Sequence, residues 1–156
     1  MDGILTSLDQ RFSAIDRGLR TLIEQLSEAQ LFERPAAVAA ERLSCGEAIL
    51  RSGAVIEKTF GGITTRLWDD PFEWTLPEKL STRSAVLEYL DEVEQTRCRG
   101  FSFFSSDADL LREMPAPERL RPIIDILLET IAGASYNHGR ASAVFQIVTG
   151  RRPPTI

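Results

Sequence analysis

The chain has 156 residues, 43% hydrophobic and 26% charged, a balance that describes one globular domain and excludes a disordered or fibrous chain. Its formal charge of −5 and lack of a basic stripe exclude a nucleic-acid-binding surface, which needs Lys and Arg concentrated on one face. No apolar run reaches the roughly 20 residues that span a bilayer, and MDGILTSLDQ lacks a basic region followed by an apolar stretch, so a cytoplasmic location away from membranes is expected.

Leu8, Phe12, Ile15, Leu19, Leu22 and Leu26 recur at alternating steps of four and three and predict a first helix over about residues 4 to 26. Ile4, Leu5 and Ile23 flank that stripe and supply apolar surface for a second copy of the chain. Ser44, followed three positions later by Glu47, predicts a capping box that opens a second helix. Ala48, Ile49, Ser52, Val55, Ile56, Phe60 and Ile63 continue it at helical period, and Gly61 and Gly62 mark its expected end. A third helix is expected from near Ser81, through Val86, Leu87, Leu90, Val93, Arg97 and Phe101, to Phe104.

The fourth opens around Pro122, which suits a first turn. Its apolar stripe is read as Ile124, Leu128, Ile131, Ser135, His138, Ser142, Phe145 and Val148, closed by Gly150 and the prolines beyond it. No segment shows strand alternation. The economical architecture for residues 1–156 is a single all-α domain, a four-helix bundle. The connections at about 27 to 43, 64 to 80 and 105 to 121 exceed the usual 2 to 8 residues between antiparallel neighbours, which predicts at least one crossover joining parallel helices. The middle connection carries Trp68, Phe72 and Trp74, whose rings are expected to pack over one end of the bundle. Its acids Asp69, Asp70 and Glu73 are candidates to face a ligand.

Cys45 and Cys98 stand far apart with no CxxC, so both are expected as small, buried, apolar-behaving thiols rather than a metal or redox pair. His138 is the single histidine, and its place on the apolar stripe predicts a buried ring hydrogen-bonded to Ser52, Ser135 or Asn137.

The stretches LSEAQLFERPA, LSCGEAILRSGAVIE and YNHGRASAVFQIVTGRRPP together resemble the DinB-like superfamily, whose members include DNA-damage-inducible proteins and bacterial thiol transferases. Its wording is a leucine, acidic, "rPa" turn, a "wSxgExLxH" helix start and a final helix "HxxYHxGQ…LxxxxGxxPP". The resemblance implies a four-helix bundle with long crossovers, homodimers, and three histidines that hold a divalent metal. Three neutral imidazoles leave an open position for water or thiolate, which explains the requirement.

Laid onto that wording, Tyr136 takes the tyrosine, Asn137 the second histidine, Gly139 the glycine and Arg140 the glutamine. The other final-helix ligand falls on Gly133, and the second-helix ligand on Arg51 or Ser52. None replaces a histidine: glycine has no side chain, arginine stays protonated, and Ser and Asn bind transition metals weakly. Gly139 is expected to permit close approach of a neighbouring helix.

The expectation is therefore a bundle that has lost the metal chemistry and holds no stoichiometric zinc or nickel. Arg51, Ser52, Tyr136, Asn137, His138 and Arg140 are candidates for a ligand pocket, with Arg51 and Arg140 supplying positive charge for an anion. Two other readings stand beside it. One is a zinc- or nickel-dependent hydrolase or thiol S-transferase using His138 with Glu47, Glu57, Asp69 or Asp70; the other is a structural dimerisation module.

Overall fold

A computed structural model of the chain describes residues 3–36, 43–71 and 79–156; Phe72, Glu73 and Trp74 lie outside them. Among the described residues four long helices dominate, α1 (Gly3–Glu24), α3 (Cys45–Thr65), α4 (Arg83–Phe101) and α5 (Ile123–Thr149), with a short α2 (Glu28–Phe32) between the first two. A 3-10 turn (Asp107–Leu111) and an antiparallel hairpin, β1 (Glu113–Pro115) with β2 (Leu120–Pro122), lead into α5. The protein is mostly helical, as its periodicity predicts. The hairpin corrects the expectation of no strand: three-residue strands are too short to show alternation.

Local chemistry sets most boundaries. Ser44 accepts the Glu47 amide proton at 3.0 Å to cap α3, while the Glu47 carboxylate turns to Arg51 at 3.2 Å. Ser27 and Gln30 form the full reciprocal box at α2, which the sequence reading placed in a plain connection. Thr82 caps α4, and Gly150 closes α5 at φ +67°, a left-handed conformation that costs glycine little. The first turn of α1 takes its cap from far along the chain. Asp107 accepts from the amides of Ile4 at 3.0 Å and Leu5 at 2.9 Å.

The four long helices pack around one core, and their directions follow from which residues meet. Phe12 of α1 packs edge-on against Phe60 of α3, with centroids 5.2 Å apart, and against Phe101 of α4 at 5.9 Å. Asp9 pairs with buried Arg97, while Arg20 reaches Asp91 at 2.8 Å, so α4 runs antiparallel to α1. Gly53 faces Tyr89 and Gly100 faces Phe60, so α3 and α4 run parallel, in keeping with the crossover expected from the long connection at about 64 to 80. α5 runs back along α3, with Cys45 meeting Ala141, Ser52 meeting Ala134 and Thr59 meeting Thr130.

Four expectations need correction. The buried face of α5 is Ile123, Ile126, Leu127, Thr130, Ala134, Asn137, His138, Ala141 and Phe145, whereas Leu128 is 52% exposed. Apolar residues nearly encircle the start of this helix, and the small residues on the packed side carry little hydrophobic signal. Gly61 and Gly62 lie inside α3, which continues to Thr65; Gly62 leaves room for the Trp68 indole, which a Cβ there would strike. Leu5 and Ile23 are fully buried and offer no surface to a partner; only Ile4 of that trio is exposed. A Cβ at Gly139 would meet nothing within 4 Å among the described residues, so no close helix approach accounts for this glycine.

Gly100 and Gly139 therefore carry opposite predictions. Gly100→Ala drives a methyl into the Phe60 ring, held by Phe12 and Phe101, and should destabilise by about 1 to 2 kcal/mol after the gain in helix propensity. Gly139→Ala should stabilise by about 0.5 to 1 kcal/mol. Chemical denaturation of both variants checks the pair, and equal shifts would contradict the packing described.

Candidate functional site

Seven residues are nearly two helical turns, so Arg51 and Lys58 project from the same side of α3. Facing them from α5 are Tyr136, Asn137 and Arg140, and Asp70 reaches in from the segment after α3. These six side chains line an open cavity of about 370 Å³. Asn137 donates to the Gly133 carbonyl at 3.0 Å, and its amide oxygen lies 3.5 Å from an Arg140 nitrogen. The Arg140 guanidinium stands 5.5 Å from the centre of the Tyr136 ring. Arg51 pairs with Glu47, whose other oxygen lies 3.7 Å from Arg34.

Of the six candidates, the structure brings Arg51, Tyr136, Asn137 and Arg140 together and leaves two elsewhere. Ser52 is fully buried and donates to the Ala134 carbonyl at 2.8 Å, so Arg51 is the α3 position that faces the cavity. Gly133 abuts Val55: a Cβ on it would stand 3.3 Å from a Val55 methyl.

His138 is one residue beyond Asn137, a rotation of about 100° that turns it from the cavity towards α1. There its Nε2 lies 2.7 Å from where a Cβ on Gly18 would be, beside Ile156. The neighbours expected to bond the ring are occupied elsewhere or exposed: Ser52 donates to Ala134, Asn137 to Gly133, and Ser135 faces outward. Burial holds the His138 pKa below the ordinary histidine value.

Lys58 and Asp70 are the charged lining residues absent from the candidate set, beside the apolar Ala54 and Val55. The seven-residue step from Arg51 is a signal that would have found Lys58. Asp70 had been read as a ligand-facing acid of its connection, without a helix to set it against. Both residues also line a neighbouring cavity of about 320 Å³, with Glu57 and Asp69. Glu57 accepts from the buried Tyr89 hydroxyl at 2.5 Å. Burial pushes the Glu57 pKa up, the Tyr89 bond opposes this, and nearby Glu92 adds to it. The buried Cys45 thiol donates to the Ala141 carbonyl at 3.4 Å, and burial pushes its pKa up to about 12, the state of an inert thiol; Cys98, expected to be buried as well, is exposed on α4.

The resemblance implies a divalent metal between α3 and α5, and the donors at that place do not fit one. The aligned positions carry a guanidinium, a glycine and a carboxamide, with the cations Lys58 and Arg140 beside them. Among the described residues no group of three or more His, Cys, Asp or Glu side chains is arranged to hold a metal. What the cavity offers is three cationic side chains against one carboxylate, with amide and phenol groups beside them. No helix among the described residues is long and apolar enough to cross a membrane.

The placement of His138 gives a pH-dependent expectation. Its folded pKa is depressed, so the unfolded chain takes up the proton first, and stability falls as pH drops through the ordinary histidine range. His138→Leu should change stability by less than about 1 kcal/mol at pH 8, since Leu fills the space and strands no hydroxyl or amide. The variant should also keep at pH 5 the stability that the parent loses there. Thermal melts at both pH values decide it; parallel decline of the two proteins would refute the assignment.

No family model matches the sequence, and no curated protein matches it.

Proposed function

We propose that this chain is a four-helix bundle of the DinB-like kind in which a cationic cavity has replaced the metal site, and that it binds a small anionic ligand there. The carrying observation is the convergence of Arg51, Lys58 and Arg140 in one cavity of a chain whose net charge is −5. The parallel α3–α4 pair and the position of Arg51, Gly133 and Asn137 along the α3–α5 seam support the bundle reading. Oxyanions suit such a lining: guanidinium and ammonium groups donate charge-assisted hydrogen bonds, and the Asn137 amide adds a neutral donor. The reading is of a binding protein, with no metal-dependent step.

Calorimetric titration with acetate, malonate and inorganic phosphate tests this directly. At least one should bind, more weakly as salt rises, because the cavity is open and its charges are screened. Arg140→Ala should weaken binding roughly ten- to a hundredfold, the loss expected for one charge-assisted hydrogen bond. Elemental analysis of untagged protein should find neither zinc nor nickel in stoichiometric amount. One metal per chain, or no anion binding at millimolar concentration, would overturn the reading.

We further propose that the chain forms a homodimer through one surface of α5. Leu128, Ala132, Ala143 and Ile147 lie exposed along the outer side of α5, and between Glu129 and Arg151 the helix carries a single formal charge, Arg140. Such an uncharged, small-residue surface suits homodimerisation. Light scattering should report a dimer at about 10 to 50 μM that Ala143→Glu converts to monomer; a monomeric parent would refute it.

A further inference from the structure

Val55 and Lys58 do not belong to the cationic cavity alone. On their other side they line a second cavity of about 360 Å³, bounded by Trp68, Ala116, Pro117 and Ile126, with Thr59 and Thr130 also on its wall. The two spaces share a boundary yet differ in chemistry. One is walled mainly by cations and amide, the other mainly by an indole and apolar side chains, with the ion pair between Arg121 and Glu129 also on its lining.

Trp68 is held in place rather than free to turn. Its ring lies against Gly62, where any side chain would collide with it, and it packs on the core from the segment that follows α3. Pro71, three residues later, is itself buried, which ties down the far end of that segment. A fixed indole beside Val55 and Ile126 forms a flat apolar wall, a surface that stacks planar rings and gains little from small hydrated ions.

Resting on the anion-binding reading above, we propose that the ligand is a planar aromatic organic anion: its oxyanion held by Arg51, Lys58 and Arg140, its ring against Trp68 in the adjoining cavity. The α3 residues lining the two spaces run from Arg51 to Thr59, eight positions or about 12 Å along the helix axis. A two-ring carboxylate or phosphate monoester spans much of that length. Benzoate reaches less of it, and acetate or phosphate occupies the cationic end only.

Calorimetric titration of the whole chain with acetate, inorganic phosphate, benzoate, 2-naphthoate, 2-naphthyl phosphate and neutral 2-naphthol tests the assignment. The two naphthyl anions should bind at least tenfold tighter than acetate and phosphate, benzoate should fall between, and naphthol should bind more weakly than either naphthyl anion. Trp68→Ala should remove the advantage of the naphthyl anions while leaving acetate and phosphate unchanged. Ala116→Leu, which narrows the second cavity without touching the indole, should do the same and guards against a Trp68 variant that fails to fold. Naphthoate against naphthyl phosphate tells carboxylate from phosphate as the preferred head group. Equal affinity for acetate and naphthoate would overturn the aromatic assignment and leave the anion reading standing, whereas failure of every anion would remove both.

Discussion

The seam between α3 and α5 fixes everything above it. Cys45, Ser52 and Thr59 stand seven residues apart on α3, and each meets α5 through a hydrogen bond: to the Ala141 carbonyl at 3.4 Å, the Ala134 carbonyl at 2.8 Å and the Thr130 hydroxyl at 2.7 Å. A slip of one helix past the other would strand all three buried groups at once, each at a cost of about 1 to 3 kcal/mol. The seam thus does for two helices what a strand ladder does for a sheet: it sets one register. Arg51 and Lys58 stand opposite Asn137 and Arg140 because that register is held.

Small residues are what make the seam close. Gly133 lets Val55 approach α5, Ala134 and Ala141 present their carbonyls without bulk, and Phe12, Phe60 and Phe101 cluster where α1, α3 and α4 meet. Arg97 is buried with Asp9 beside it, and Arg20 draws on Asp16 and Asp91, so these cations of the α1–α4 side are bound within the structure. The cavity cations lie towards α5, with Arg51 itself paired to Glu47.

Most of the helical architecture was legible because it depends on where large apolar residues recur. Every residue of the first stripe, from Leu8 to Leu26, is buried, and Ser44, Thr82 and Gly150 lie at or next to predicted boundaries. The α2 box carries the Ser-x-x-Gln signature at Ser27 and Gln30, which was read only at Ser44; the hairpin and the Asp107 cap leave no period in the sequence. The packed face of α5 was misread for a related reason: a face selected for small side chains and hydroxyls looks polar to a hydrophobicity count, and Leu128 looks buried. Four candidate cavity residues came from motif wording and do meet, because their helices are regular. Ser52 and His138 were separated from them by single 100° steps, which only the orientation of each helix could decide.

The cap on α1 has a consequence for how the protein is made. Translation delivers α1 ahead of its partners: α3 and α4 follow, then Asp107, which accepts from its leading amides, and α5 comes last. At about 5 to 20 residues per second, the first helix leaves the ribosome several seconds before its carboxylate partner exists. Until α3 and α4 have emerged its apolar stripe has no core to enter, and Leu5, Phe12 and Leu19 face solvent or a chaperone. The first turn of α1 is therefore secured only after α3 and α4 have been made, and the interval before those helices emerge is when its apolar stripe is most exposed to aggregation.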